Sequence, residues 1–315
     1  MARLLLGAAP RAALTHLMSV TLLLLATACG RTAAPPTREF DADRAMTRVQ
    51  EQLAFGPRIP GTAGHVAMAA WLDSLARNTA DTVVVQRWMH ATAGGDSVQL
   101  VNVIARFNPG ASKRVLYVAH WDTRPRADAA GSASPDQPVP GANDGASGVA
   151  VLLGVMDALR ASPPEIGVDL LFVDGEDLGD FGPPRVDVLL GSTYYAAHLL
   201  PPGRPDFAVV WDMVGAQNLR LARESLSSVA APDVITTIWT TAADMGYGHI
   251  FVQESVGPIT DDHVPLIEAG IRAVDVIGWP YDHWHTVHDT FDKLSRESLE
   301  AVGNVAVAVL RRVAP

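Results

Sequence analysis

Six side chains of the kind that hold a metal ion or move protons stand far apart along this chain: His120, Asp144, Glu176, Asp177, Asp212 and His285. A divalent cation of hard to borderline character takes carboxylate oxygens and neutral imidazoles, and a catalytic zinc keeps three protein ligands and one open position. Asp144, Asp177 and His285 have the types such a set needs. His120 and Asp212 could hold a second ion with Asp144 shared, as in two-metal hydrolases whose ions lie about 3.5–4 Å apart. Glu176 is then a carboxylate beside a ligand with no coordinating duty, free to exchange protons.

Each piece alone has a plainer reading. A lone His-x-Asp such as His120-Trp121-Asp122 is more often a surface turn. Gly141 to Gly145 reads as a turn into a helix with Asp144 as N-cap. Glu176 and Asp177 stand in an acidic loop with Asp174 and Asp180, where solvated acids are the rule. His283, His285 and His288 crowd together, and Trp284 could simply fill the core. The conjunction outweighs the parts, because burying so many carboxylates without a cation would be prohibitively costly.

The elements that would bring these groups together are legible as alternating periods. Ala42 to Phe55 and Thr62 to Arg77 have helical spacing, with Thr62 as N-cap. Val83 to Met89 and Leu100 to Phe107 read as strands, and Val115 to Ala119 as a strand covered on both faces. Gly148 to Leu159 is helical, Val168 to Val173 a strand, Ser192 to Leu199 a helix, Phe207 to Val214 a strand and Asp233 to Met245 a helix. Ile271 to Ile277 is a buried strand, and Arg296 to Val313 a final helix. Such alternation implies an α/β fold, a three-layer α/β/α sandwich around a mostly parallel, mixed central sheet. Ligands of open sheets bind at the carboxyl ends of the strands, which places all five chemical segments on one rim.

Of 315 residues, 34 are acidic and 24 basic, a formal charge of −10 that argues against a nucleic-acid partner. The single cysteine, Cys29, excludes an intrachain disulfide and a Cys-rich zinc site. Arg3 and Arg11 precede an apolar run from Leu17 to Ala28, too short to span a bilayer but suited to a signal-peptide core. Leu25-Ala26-Thr27-Ala28-Cys29 resembles a bacterial lipobox. Residues 1–28 are thus expected to be a lipoprotein signal peptide, 29–40 a flexible tether with Pro35-Pro36, and 41–315 a single catalytic domain. Loss of the two leader arginines takes the charge to −12. Lipid on Cys29 would anchor the exported protein on the periplasmic side of a bacterial envelope, at the outer membrane because Gly30 is not the retention Asp.

The order His-x-Asp, Asp-Gly, Glu-Asp, Asp, His resembles the M28 zinc peptidase clan, which includes aminopeptidases and glutaminyl-peptide cyclotransferases. Several stretches are more similar to the cyclotransferases: Phe55 to Thr62, Leu170 to Glu176, Gly191-Ser192, Asp212 to Ala216, Asp261-Asp262-His263-Val264-Pro265 and Trp284-His285-Thr286. The resemblance runs from about Phe55 to the end. It implies a zinc aminopeptidase-like fold, Asp144, Asp177 and His285 as zinc ligands, and Glu176 as general acid/base. It further implies that Asp212 and Asp261 complete a proton network and that Trp284 lines the substrate pocket. One departure is plain: animal cyclotransferases have Glu where this chain has Asp177, so the loop must come closer to the metal.

That resemblance implies conversion of the N-terminal Gln of peptides to pyroglutamate with release of ammonia, on one zinc, with a second at His120 and Asp212 left open. The alternative is a two-zinc aminopeptidase; a third reading is a binding lipoprotein on a degenerate hydrolase fold, which an intact Glu176 opposes. Partners are then peptide or protein N-termini, with the membrane met through Cys29 and the chain acting as a monomer. The loop from Arg124 to Pro140 is expected to rim the pocket, with Arg124 and Arg126 solvated, and Gly182-Pro183-Pro184-Arg185 to wall it.

Overall fold

Two capped helices lead into the sheet in the computed structural model, which describes Gly7 and residues 38–313. Helix α1 is Ala42–Leu53 and α2 is Ala63–Thr79; Asp41 and Thr62 cap them, each accepting a backbone N–H three residues on. The strands β1 (Thr82–Ala91) and β2 (Ser97–Phe107) form an antiparallel hairpin. Strand β3 (Arg114–His120), helix α3 (Ala146–Ala161), strand β4 (Gly167–Val173), helix α4 (Leu190–Ala197) and strand β5 (Phe207–Asp212) follow. After them come β6 (Leu221–Glu224), α5 (Ser225–Ala230), α6 (Pro232–Asp244), β7 (Phe251–Val256), α7 (His263–Glu268), β8 (Ala273–Ile277) and α8 (Arg296–Arg312).

The central sheet has the order β1-β2-β4-β3-β5-β8. Strands β4, β3, β5 and β8 run parallel, whereas β2 pairs antiparallel with β4. The sheet is therefore mixed, with an antiparallel hairpin on one edge. Side chains alternate across it. Val115, Tyr117 and Ala119 join the larger core with α1, α2, α3, α6 and α8, while Leu116 and Val118 face Tyr195 and Leu266 of α4 and α7. That gives the expected three layers. Helix α3 is buried nearly all round, which explains its continuous apolar sequence.

Several features differ from the sequence reading, the short helices α5 and α7 among them. Strand β5 ends at Asp212, because Met213 turns to φ 47°. The short β6 and β7 pair as a separate parallel ribbon, and at four and six residues they carry too little pattern to be read locally. Phe40, the last residue of the expected tether, is buried between α3 and α8; a Cβ on Gly154 or Gly303 would overlap its ring. The rest of the expected leader and tether, Cys29 included, lies outside the described residues apart from Gly7, Arg38 and Glu39. Among the described residues no helix is long and apolar enough to cross a membrane.

Candidate metal centre and active site

Parallel pairing puts the C-terminal ends of β3, β4, β5 and β8 on one rim, and the expected site residues follow from it. His120 and Asp212 end β3 and β5. Glu176 and Asp177 lie in the turn after β4, Asp144 immediately before α3, and His285 in the loop after β8. All six are buried.

Asp144 sits at the middle of the constellation. His285 Nε2 lies 3.8 Å from Asp144 Oδ2 and 3.3 Å from Asp177 Oδ1. On the other side, His120 Nε2 lies 3.1 Å from Asp144 Oδ1 and 3.2 Å from Asp212 Oδ1. Ligand atoms about 2.0–2.2 Å from a tetrahedral zinc stand roughly 3.3–3.5 Å apart, so the first triad fits the ion with little movement. Asp144 Oδ2 is buried with no hydrogen-bond partner, an orphaned acceptor that a cation would satisfy. Both triads bring ligand atoms within 4.8 Å of one another, with Asp144 common to both. Asp144 is no helix cap: Gly145 takes that position, without a side-chain cap bond. A Cβ on Gly145 would overlap the His120 carbonyl and ring, so only glycine lets α3 begin this close to the site. His283 and His288 belong to neither triad.

A supporting shell fixes these groups. Asp122, the third residue of the His-x-Asp segment, accepts the backbone N–H of Glu176 on one oxygen and that of Asp177 on the other, each at 3.1 Å. Asp289 accepts the N–H groups of Asn143 (2.9 Å) and Asp144 (3.1 Å), and the Tyr281 hydroxyl at 2.8 Å. Arg58, fully buried, donates to the carbonyls of Pro140 and Gly141 at 2.7 and 2.8 Å, pinning the approach to Asp144. Burial draws the Arg58 pKa down to about 10 against the pull of Asp289, Asp122 and Asp144.

The environments separate the acids. Burial penalises the charge on Asp144, but His120 and His285 hold its carboxyl below the ordinary range. Burial drives Glu176 well above it; His120 opposes this, and Asp177, Asp262 and Asp261 add repulsion. Asp212 is pushed up to about 7 by burial, against its bond to His120. One carboxylate is thus kept charged and its neighbour made ready to carry a proton, the division of labour that assigns acid–base roles.

Over the first triad opens a cavity of about 290 Å³, walled by Phe181, Ile259, Trp279 and Trp284 and floored by Asp144, Glu176, Asp212, Asp261 and His285. Trp284 stacks on the His285 ring at 3.7 Å and meets Trp279 edge-on at 5.0 Å. Asp261 accepts the N–H of Asp262, whose carboxylate accepts the Ser192 hydroxyl at 2.5 Å, so the Gly191-Ser192 and Asp261-Asp262 stretches meet. His285 holds φ 52°, a left-handed conformation costing about 1–2 kcal/mol and typical of functional positions.

Three expectations are corrected. The cavity wall comes from Phe181 rather than Gly182 to Arg185, and the 124–140 loop packs behind the ligands instead of rimming the cavity. Arg124 is buried against Asp177 and Asp128, whereas Arg126 is exposed as expected, beside Asp136. Sequence reasoning missed the placement of Asp122, Arg124, Asp128 and Asp289, whose local patterns match ordinary turns.

Comparison with known proteins agrees with this geometry. Residues 102–310 match the family model described as peptidase family M28. Over 292 residues the chain is 25% identical to glutaminyl-peptide cyclotransferase of Bos taurus, covering 79% of this chain and 76% of that one. It superposes on a Porphyromonas gingivalis glutaminyl cyclase with a TM-score of 0.83 at 37% identity, covering 88% of this chain and 99% of that one. A leucine aminopeptidase precursor from Bacteroides thetaiotaomicron gives a TM-score of 0.83 at 35% identity, covering 88% and 98%. A match across two thirds of the sequence, with the two candidate metal triads gathered at one rim of the sheet, establishes that the chain belongs to peptidase family M28.

Proposed function

We propose that the protein is a zinc-dependent glutaminyl-peptide cyclotransferase that converts an N-terminal Gln to pyroglutamate and releases ammonia. The observation that carries this reading is the small cavity at the triad of Asp144, Asp177 and His285, lined by two of its members, Asp144 and His285, together with Glu176, Asp261, Trp279 and Trp284. At about 290 Å³ it lies just under the usual range of small-molecule sites, roughly 300–1,000 Å³, and suits one terminal residue. Asp144, Asp177 and His285 would hold a zinc ion, which would supply a cation able to polarise the substrate γ-carbonyl.

The chain's own residues do the rest. Apolar walls fold the glutaminyl side chain back, so that the α-amine meets the γ-amide carbon in a five-membered ring. Held well, such intramolecular attack has an effective molarity on the order of 10⁵ M or more. Glu176 accepts the proton lost by the amine as the C–N bond forms, then returns it to the departing NH₂ as ammonia. Its raised affinity for a proton favours the first of these transfers, acceptance from the amine. Asp261, with one oxygen buried and unpartnered, lies where it can steady the ammonium or the shuttled proton.

Ammonia release from a Gln-initiated peptide tests the reading, with Glu176→Gln expected to keep zinc and lose turnover; a zinc-loaded wild type that releases none refutes it. A two-zinc aminopeptidase is the second reading, favoured by the closure of His120, Asp144 and Asp212 into a triad. Two zincs per chain with release of free amino acids would select it. We further propose export, lipidation at Cys29 and an outer-membrane location facing the periplasm, which globomycin-sensitive processing and a Cys29→Ala variant would test. A monomer is proposed, because one chain supplies both triads.

A further inference from the structure

Arg124 is buried in the one place where a cation would be expected to hinder a metal site. Its Nη1 donates to Asp177 Oδ1 at 2.7 Å and approaches the Asp177 carbonyl at 3.4 Å. Its Nε and Nη2 donate to the two oxygens of Asp128 at 2.7 and 2.6 Å, a bidentate fork. Asp128 Oδ1 in turn lies 3.4 Å from His285 Nδ1, on the side of the ring opposite the triad. The adjoining backbone is tied as well, with Ala129 N donating to the His285 carbonyl at 3.2 Å. The guanidinium also lies 5.8 Å from the Phe181 ring centroid, against the cavity wall.

We propose that Arg124 is a positioning residue that holds two zinc ligands in register, Asp177 directly and His285 through Asp128. The proposal rests on Asp144, Asp177 and His285 being the ligands. A carboxylate oxygen has two lone pairs, so Asp177 Oδ1 serves the guanidinium with one and keeps the other for a metal. Asp128 balances the charge of Arg124, so what reaches the site is orientation more than repulsion. Asp128 against His285 Nδ1 completes the carboxylate–imidazole pairing that fixes which ring nitrogen faces the ion.

The test is competition between the full-length holoprotein and a chromophoric zinc chelator, with circular dichroism as a folding control and the visible spectrum of the cobalt-substituted protein as a geometric readout. Arg124→Met is expected to weaken zinc binding by tenfold or more and to alter the cobalt spectrum. Arg124→Lys, which can satisfy only one carboxylate, falls between Met and wild type, and Asp128→Asn loosens binding by weakening both the support of His285 and the fork that holds Arg124. Wild-type zinc affinity and spectrum in Arg124→Met overturn the proposal; if that variant does not fold, wild-type values in both Arg124→Lys and Asp128→Asn do so. His285→Ala separates the two levels: loss of zinc there upholds the ligand assignment whatever Arg124 does, and retained zinc overturns the assignment and the clamp with it.

Discussion

Asp122→Asn is the sharpest probe of how this site is built. The native carboxylate holds two consecutive backbone N–H groups, those of the proton carrier Glu176 and of the ligand Asp177, both at 3.1 Å in a fully buried setting. An amide of the same shape keeps one acceptor and sets an NH₂ against the other N–H, so one charge-assisted bond becomes a donor–donor clash. Such a bond contributes about 1.5–3 kcal/mol. The turn can relax as a loop, so the loss appears mainly in the positions of residues 176 and 177. At about 1.4 kcal/mol per decade, the expected fall in kcat/KM for a Gln-initiated peptide is roughly 10- to 150-fold. A displacement near 1 Å at Glu176 would by itself account for about 10²-fold. Zinc affinity should fall about tenfold, because Asp177 moves with the same turn. Ammonia release and zinc content are measured on one preparation, with a melting curve as control. A variant within about threefold of wild type in kcat/KM, with unchanged zinc affinity, would refute the reasoning.

Two further outcomes follow from the geometry. Trp284→Ala removes an aromatic wall of the cavity, and the lost contact with the substrate side chain, about 0.5–1.5 kcal/mol, should raise KM about 2- to 12-fold while zinc stoichiometry is kept; an unchanged KM speaks against Trp284 as pocket wall. The metal-stripped protein should lose stability as pH rises from about 4 to 7, because burial, with the Asp144 charge, pushes Asp289 up to about 7, and burial does the same to Asp174. Carboxyls near 3.9 when unfolded then bind more protons in the folded state across that window, and the slope of unfolding free energy against pH is negative. Denaturant melts at several pH values should show Asp289→Asn with a shallower slope; an unchanged slope removes Asp289 from the account.

The chain's periodicity determined a good deal unaided. Continuous apolar runs such as Val115 to Ala119 report a strand covered on both faces, and Thr62 before Val66, Ala69 and Leu72 reports a capped helix, because both signals are local. Given a parallel sheet, acids and histidines in the segments that follow such runs, before the next helix or strand, must share one rim, which is why His120, Asp144, Glu176, Asp177, Asp212 and His285 could be named in advance. What only the tertiary structure decided is which atoms face one another. Asp122 meets residues 176 and 177, Asp289 meets residues 143 and 144, and Arg124 meets Asp177 across 53 positions, while each reads locally as a turn residue or a solvated charge. The ribbon of β6 and β7 and the antiparallel pairing of β2 with β4 escaped for the same reason. Spacing along a chain records which side of an element is buried; the partner met there is set by the packing of distant elements, to which the local pattern is blind.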